Sequence, residues 1–242
     1  SPQELQAVGG SEPARNSSSD GLHPDQPAKG SRRVDRELPA EARSWERIVD
    51  TTALLPGDLI LTRDISPDRI SRAIFDAQEK GGFHRRHAQW THAAVYLGDG
   101  EHICEANFKV PNLRWGVTIR SIYSYCDGHT VLRARRPRVH DEKQRIRIAM
   151  GALLNMGKGY SFRQIWTFGR AAASGKGFWH SGATRQKIRS RALVCSTLYQ
   201  DAYNFSFQGM TARMGTMCTP AHLSASADFE DDDPELCWLT IE

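Results

Sequence analysis

The stretch "THAAVYLGDGEHICEANF", Thr91 to Phe108, predicts a β-hairpin from which the rest of the fold can be built. Small, apolar and β-branched residues from Thr91 to Leu97 form a first strand. The Gly-Asp-Gly sequence at 98–100 supplies the turn, and Glu101 to Ala106 forms the second strand.

The hairpin carries one histidine and one glutamate that could cooperate in catalysis, His92 and Glu105. A turn centred on the aspartate places His92 opposite Ala106, which leaves Glu105 on the other face of the sheet. A bulge or a longer loop shifts the register by one residue and brings Glu105 to the face of His92. Because side chains alternate along a strand, His102 and Cys104 point away from Glu105, so only one of these two sets can face a packed helix.

Further strands and helices are predicted on both sides of the hairpin. Before it, "RELPAEARSWERIVDTTALL" has helical periodicity, "LPGDLILTR" predicts a strand from Asp58 to Arg63, and "SPDRISRAIFDAQEKGG" predicts a helix with Ser66 as N-cap and Gly81 as stop. After it come strands at "GVTIRSI" and "HTVLRARRP" with a helical turn at "SIYSYC", a helix at "DEKQRIRIAMGALLNMGKGY" that ends at a glycine, a short helix after Pro220, and an edge strand at "CWLTIE". This order predicts an α+β fold around an antiparallel sheet.

The segment "RALVCSTLYQDAYNF", Arg191 to Phe205, predicts an amphipathic helix with Cys195 near its start. A cysteine in such a place is either a small buried core residue or a nucleophile whose thiolate the helix N-terminus favours. A catalytic thiolate needs an imidazole partner, and the imidazole needs a third polar group to orient it. His92 and Glu105 are the candidates for these two roles, although each alone is more often structural or solvent-facing.

Composition separates a tail from one folded domain in the 242 residues. Residues 1–39 are poor in large apolar side chains and predict a disordered tail, while residues 40–242 suffice for a single domain. An aromatic, Gly-rich stretch at about 161–185 predicts an insertion. The net charge of +4 is small, and the basic clusters Arg133 to Arg138 and Arg185 to Arg191 predict solvated faces. No basic stripe carries stacking aromatic residues, which argues against a nucleic-acid partner.

The cysteine and histidine patterns predict neither a metal site nor a cofactor. The five cysteines are widely spaced and contain no Cys-x-x-Cys pair, which argues against a disulfide framework and a structural zinc site. "HRRH" at 84–87 has no surrounding ligand cluster. No stretch has the length of a transmembrane helix and no signal peptide is visible, so localisation stays open and action in the periplasm or outside the cell is compatible with the sequence.

Seven motifs together resemble a known family: "LLPGDLILTR", "THAAVYLGDGEHICEA", "GV" with "IRSIYSY", "VLRARRP", "KGYSF", "CSTLYQDAY" and "TPAHL". Between Leu54 and Leu223 the chain is similar to the permuted branch of the NlpC-type papain-like cysteine hydrolases, the YiiX-like group. The resemblance implies a circularly permuted papain-like fold, in which an antiparallel sheet packs against the cysteine-bearing helix. It also implies that Cys195 is the nucleophile, His92 the general base and Glu105 the orienting carboxylate. Tyr160 in "KGYSF" and Thr219 in "TPAHL" are the predicted substrate-binding residues.

The same resemblance implies a cysteine hydrolase that cleaves an amide through a thioester. The predicted substrate is a peptide of bacterial peptidoglycan, and an antibacterial toxin of this kind would have an immunity protein as partner. A lipid ester hydrolase or acyltransferase of the lecithin–retinol acyltransferase-like type is the alternative within the same chemistry. A binding module that keeps the fold without turnover is the alternative from another class. The sequence does not determine the oligomeric state.

Overall fold

The computed structural model describes residues 47–107, 116–139, 141–160, 192–207 and 218–240. Their strands are β1 (Arg47–Val49), β2 (Leu59–Asp64), β3 (His92–Tyr96), β4 (His102–Asn107), β5 (Gly116–Ser121), β6 (Thr130–Arg135), β7 (Gly159–Tyr160), β8 (Ala192–Leu193) and β9 (Trp238–Thr240). Seven of them form one sheet in the order β6-β2-β3-β4-β5-β7-β8, while β1 and β9 pair separately. All neighbours are antiparallel except β7 and β8.

The helices lie around this sheet and confirm the α+β class. They are α1 (Arg69–Lys80), α2 (Arg85–Ala88), α3 (Glu142–Leu153), α4 (Cys195–Ser206) and α5 (Pro220–Ala225), with a 3-10 turn at Ile122–Tyr125. The predicted hairpin, the strands on either side of it and the cysteine helix are confirmed. The predicted tail at 1–39 and insertion at about 161–185 lie outside the described residues.

The hairpin has the shifted register. Ala94 pairs with Glu105 and Val95 pairs with Cys104, because the turn holds four residues, 98–101, between Leu97 and His102, where Leu97 N donates to His102 O at 2.9 Å. Gly98 has a φ of +93°, and a Cβ there would lie 2.3 Å from Pro56 Cγ, so the turn requires glycine. The consequence is that Glu105 shares a face with Ala94 and therefore with His92, two residues earlier.

Each face of the sheet covers its own hydrophobic core. The face beneath α4 contributes Val95, Cys104 and Ala106, which pack with Leu198 and Tyr199. The opposite face, here called the outer face, contributes a second set that packs with residues of β1, β9 and the 3-10 turn: Ile60, Ala94, Tyr96, Ile103, Leu132, Ile48, Val49, Ile122, Tyr123 and Trp238. Full burial of each large apolar side chain contributes about 1.5–3 kcal/mol, so both faces are firmly held.

Helix α4 runs along β3 in the same direction, which brings its first residue to the start of that strand. Tyr199 Oη donates to Gly57 O at 2.9 Å, and Gly57 N donates to Tyr96 O at 2.9 Å, so the middle of α4 lies near the end of β3. Helix α3 crosses α4 closely at Gly151, where an added Cβ would meet Ala202 O at 2.9 Å.

Three of the predicted element boundaries are wrong. The helix predicted across 36–55 is a strand in its described part, at Arg47–Val49, since buried Ile48 and Val49 pair with β9 instead of forming a helical stripe. Helix α1 is capped by Asp68, whose carboxylate accepts from Ser71 N at 2.7 Å, and not by Ser66. Helix α3 has its C-cap at Leu154 rather than at a glycine.

The prediction of a solvated face at Arg133 to Arg138 is also wrong. Arg133 and Arg135 share the carboxylate of Asp233, and Arg136 pairs with buried Asp58 at 2.9 Å. Arg135 additionally donates to four backbone carbonyls, two in the last turn of α5 and two in the segment that follows it. Arg133 and Arg135 therefore attach the C-terminal segment to β6 through Asp233, whereas Arg136 pairs with Asp58 just before β2. The cluster at Arg185 to Arg191 lies outside the described residues.

Candidate active site

The three predicted catalytic residues come together from the start of a strand, the start of a helix and the interior of a second strand. His92 is the first residue of β3, Cys195 is the first residue of α4, and Glu105 lies within β4. Glu105 alternates with Cys104 and Ala106, which pack beneath α4, so its carboxylate belongs to the outer face. His92 shares that face but stands at the end of its strand, where its ring can reach both Glu105 and Cys195.

The His92 ring binds Glu105 directly. His92 Nε2 lies 2.7 Å from Glu105 Oε2, and the two side chains are 19% and 0% exposed. This leaves Nδ1 as the ring nitrogen that can serve Cys195. Cys195 lies close enough to His92 for its sulfur to raise the pKa of the ring.

Glu105 has three further donors that the sequence did not reveal. Asn107 Nδ2 and Arg120 Nη1 donate to Oε1 at 3.1 and 3.2 Å, and Tyr125 Oη donates a short hydrogen bond to Oε2. Asn107 could have been found, because it lies two residues beyond Glu105 on the same face of β4. Predicting Arg120 would have needed the register between β4 and β5, in which Glu105 pairs with Thr118. Predicting Tyr125 would have needed the position of the 3-10 turn relative to β4.

The electrostatics of the pair follow from burial and from these contacts. Burial opposes the charge on Glu105, but the hydrogen bond and charge of His92, with Tyr125 and Asn107 as donors, lower its pKa to about 2. Burial likewise opposes protonation of His92, but the charge and hydrogen bond of Cys195 and then those of Glu105 raise its pKa to about 10. The arrangement therefore favours a protonated His92 ring beside the ionised carboxylate of Glu105.

Helix α4 presents its N-terminus at Cys195. Val194 is the N-cap residue, and its backbone groups exchange hydrogen bonds with Thr197 Oγ1 at 2.9 and 3.0 Å. The first intrahelical donor is Leu198 N, so the amides of Cys195, Ser196 and Thr197 precede the helical hydrogen-bond ladder. Their N–H groups and the helix dipole provide a site suited to a developing oxyanion.

Three of the other cysteines are buried thiols with raised pKa values. Burial raises the pKa of Cys104 and of Cys126 to about 12, and it raises the pKa of Cys218 well above 9. The charge of Cys195 adds to the effect at Cys218, and Ser196 Oγ donates to Cys218 O at 2.8 Å. Cys237 is partly exposed.

The two predicted substrate-binding residues lie next to the start of α4. Tyr160 ends β7 and pairs with Leu193, two residues before Cys195. Thr219 follows Cys218 and caps α5, where its Oγ1 accepts from His222 N at 3.3 Å. The Thr219 hydroxyl is thus engaged in capping, and substrate binding by either residue stays a prediction.

Within residues 47–107, 116–139, 141–160, 192–207 and 218–240, no three or more His, Cys, Asp or Glu side chains are grouped closely enough to hold a metal ion. In the same ranges, no helix combines the length and apolar character needed to cross a bilayer.

Comparison with known proteins adds no assignment. No family model matches the chain, and no curated protein matches it. The resemblance to the permuted NlpC-type hydrolases therefore remains a prediction from the motifs.

Proposed function

We propose that this chain is a cysteine hydrolase with a permuted papain-like arrangement, in which Cys195 attacks an acyl carbonyl. One observation carries the proposal: a single imidazole, His92, interacts with a buried carboxylate on one side and with the thiol that opens α4 on the other. A thiol, a base and an orienter in contact define such a triad by their roles, whatever their order in the chain.

The geometry supports a two-step reaction. The Cys195 sulfur, having given its proton to His92, attacks the carbonyl carbon, and the amides at the start of α4 stabilise the oxyanion. His92 then donates its proton to the leaving nitrogen as the C–N bond breaks, which leaves a thioester on Cys195. Water then attacks the thioester carbonyl while His92 accepts a proton from that water. The C–S bond breaks, which releases the acid product and restores the free Cys195 sulfur.

A peptide amide of bacterial peptidoglycan is the substrate that we propose. The support comes from the motif resemblance, and the first test is product analysis. Wild-type protein incubated with peptidoglycan should release cleaved muropeptides detectable by mass spectrometry, whereas Cys195→Ala should release none. Cys237→Ala is the matched control and should retain the wild-type products. Identical products from wild type and Cys195→Ala would reject the hydrolase.

Thiol labelling tests the triad without a substrate. Burial makes Cys104, Cys126 and Cys218 unreactive below pH 8, so in a Cys237→Ala background iodoacetamide labelling at about pH 6 should select Cys195. His92→Ala should reduce this labelling by at least about tenfold, because the thiolate loses its imidazolium partner. Equal labelling rates in wild type and His92→Ala would favour the non-catalytic binding module.

A lipid ester is the second candidate substrate, favoured by one feature of α3. Ser206 Oγ donates to Gln144 O at 3.0 Å and Gly151 faces Ala202, so α3 and α4 are antiparallel and the end of α3 lies toward the Cys195 end of α4. Exposed Leu154 and Met156 follow that end. Fatty acid released from phospholipid vesicles by wild type but not by Cys195→Ala, without muropeptide products, would replace the amide with an ester.

A further inference from the structure

Glu105 Oε2 accepts hydrogen bonds from two donors of different character. His92 Nε2 lies 2.7 Å from it, and Tyr125 Oη donates to the same oxygen. The other oxygen, Oε1, accepts from Asn107 and Arg120. An ionised carboxylate offers about four acceptor positions, so these four donors fill all of them.

Local structure fixes the Tyr125 ring beside this carboxylate. The 3-10 turn that carries Tyr125 is capped by Ser121, whose Oγ accepts from Tyr123 N at 3.2 Å. The Arg120 guanidinium lies 5.8 Å from the centre of the Tyr125 ring, and the His92 ring lies 6.4 Å from it. Burial and then the charge of Glu105 raise the pKa of Tyr125 well above 10, so its hydroxyl remains a donor at every working pH.

We propose that Tyr125 is a positioning residue that limits how strongly Glu105 attracts the protonated His92 ring. The Tyr125 proton takes up part of the charge on the oxygen that holds His92. A general acid must release its proton to the leaving group, and a buried carboxylate with no competing donor would bind the imidazolium too firmly for that. The catalytic role rests on the proposed function, whereas the effect on His92 can be measured without turnover.

The charged and titratable groups described around His92 come from four elements. Cys195 belongs to α4, Glu105 to β4 and Tyr125 to the 3-10 turn, while Arg120 of β5 lies behind Glu105. Changing Tyr125 to phenylalanine removes one hydroxyl and leaves the other three groups in place. A change in His92 titration can then be assigned to the lost hydrogen bond.

Titration of His92 by NMR in a Cys195→Ala background tests the proposal, because this variant removes the sulfur that also acts on the ring. Tyr125→Phe should raise the pKa of His92 by about half a unit or more, since hydrogen bonds to charged groups are strong. Tyr123→Phe is the matched control: Tyr123 lies in the same 3-10 turn but donates to Gly100 O at 3.1 Å, and its loss should leave the His92 titration unchanged.

A second substitution protects the test against misfolding of Tyr125→Phe. Fluorotyrosine at position 125 keeps the shape of the ring but has a more acidic hydroxyl, so it should lower the pKa of His92. Opposite changes with the two substitutions support the proposal. If Tyr125→Phe does not fold, a lowered pKa with fluorotyrosine supports it alone. An unchanged or raised pKa with fluorotyrosine, or an unchanged or lowered one with Tyr125→Phe, overturns it.

Turnover separates this inference from the proposed function. If the His92 pKa changes as expected but neither peptidoglycan nor phospholipid is cleaved, Tyr125 controls the pair and the hydrolase is rejected. If the protein is an active hydrolase, the alkaline limb of its kcat/KM profile should move to higher pH in Tyr125→Phe. An alkaline limb at the same pH as in wild type would overturn the role of Tyr125 while leaving the hydrolase in place.

Discussion

Replacing Glu105 with glutamine tests the buried carboxylate most directly. A glutamine has nearly the same shape but offers one oxygen, so its NH₂ group must face two of the four donors that surround Glu105. The fall of the Glu105 pKa from 4.5 to about 2 corresponds to about 3 kcal/mol of stability at pH 7. Removing one partner of a buried ion pair costs about 3–5 kcal/mol, and the lower end applies because Arg120 and His92 are partly exposed and can regain water.

Urea unfolding of wild type and Glu105→Gln over a range of pH measures this difference. Since the folded-state pKa of Glu105 is lowered, the contribution of this carboxylate to the free energy of unfolding is complete above about pH 4.5 and is lost as the pH falls through about 2. The gap between the two proteins should therefore be about 3 kcal/mol at pH 7 and should narrow steadily below pH 4.5. Glu79→Gln, at an exposed position, should differ from wild type by less than about 0.5 kcal/mol. A gap below about 1 kcal/mol at pH 7, or one that does not narrow in acid, would refute the reasoning.

Three further predictions concern the packing and charge of the scaffold. Gly151→Ala should lower the free energy of unfolding by about 1–3 kcal/mol in urea, because the new Cβ meets Ala202 O at 2.9 Å. Arg135→Met should cost about 3 kcal/mol in the same assay, since it leaves buried partners unsatisfied. Arg138→Met, which removes an exposed ion pair and one hydrogen bond to Phe229 O, should cost only about 1 kcal/mol. His92 has a raised pKa, so its contribution to the free energy of unfolding is complete below pH 6.5 and is lost as the pH rises toward about 10. The free energy of unfolding of His92→Asn, measured over the same pH range, should lack this alkaline decline.

Much of the fold could be predicted because its signals are local. Gly98 and Gly100 mark the hairpin turn, and the apolar stripe after Cys195 marks the helix. The strand at Arg47–Val49 could not be predicted in this way, because its partner β9 lies about 190 residues away and tertiary pairing outweighed its helical periodicity. The ion pairs of Arg133, Arg135 and Arg136 were missed for the same reason, since Asp233 lies about 100 residues further on and Asp58 lies 78 residues earlier.

Among the residues of the site, those marked by local sequence could be predicted and those placed by long-range pairing could not. His92, Glu105 and Cys195 could be proposed from residue type and position, whereas the donors from β5 and the 3-10 turn depend on a register that the sequence leaves open. The sequence left open whether the hairpin register is shifted by one residue. In the structure Cys104, not Glu105, faces the body of α4, so strand alternation alone would have argued against Glu105 as a partner of the cysteine helix.

The position of His92 at the end of its strand resolves that difficulty. A histidine in the middle of β3 with the orientation of Glu105 would point into the outer-face core, and the sheet would separate it from the cysteine helix. At the first residue of β3, no further strand residue precedes the ring, and α4 begins at the same end. The carboxylate can therefore be buried and saturated with donors on one face, while the sulfur stays at the helix N-terminus on the other. The imidazole is the group that connects these two environments, and this separation allows the charge on Glu105 and the reactivity of Cys195 to be adjusted by different residues.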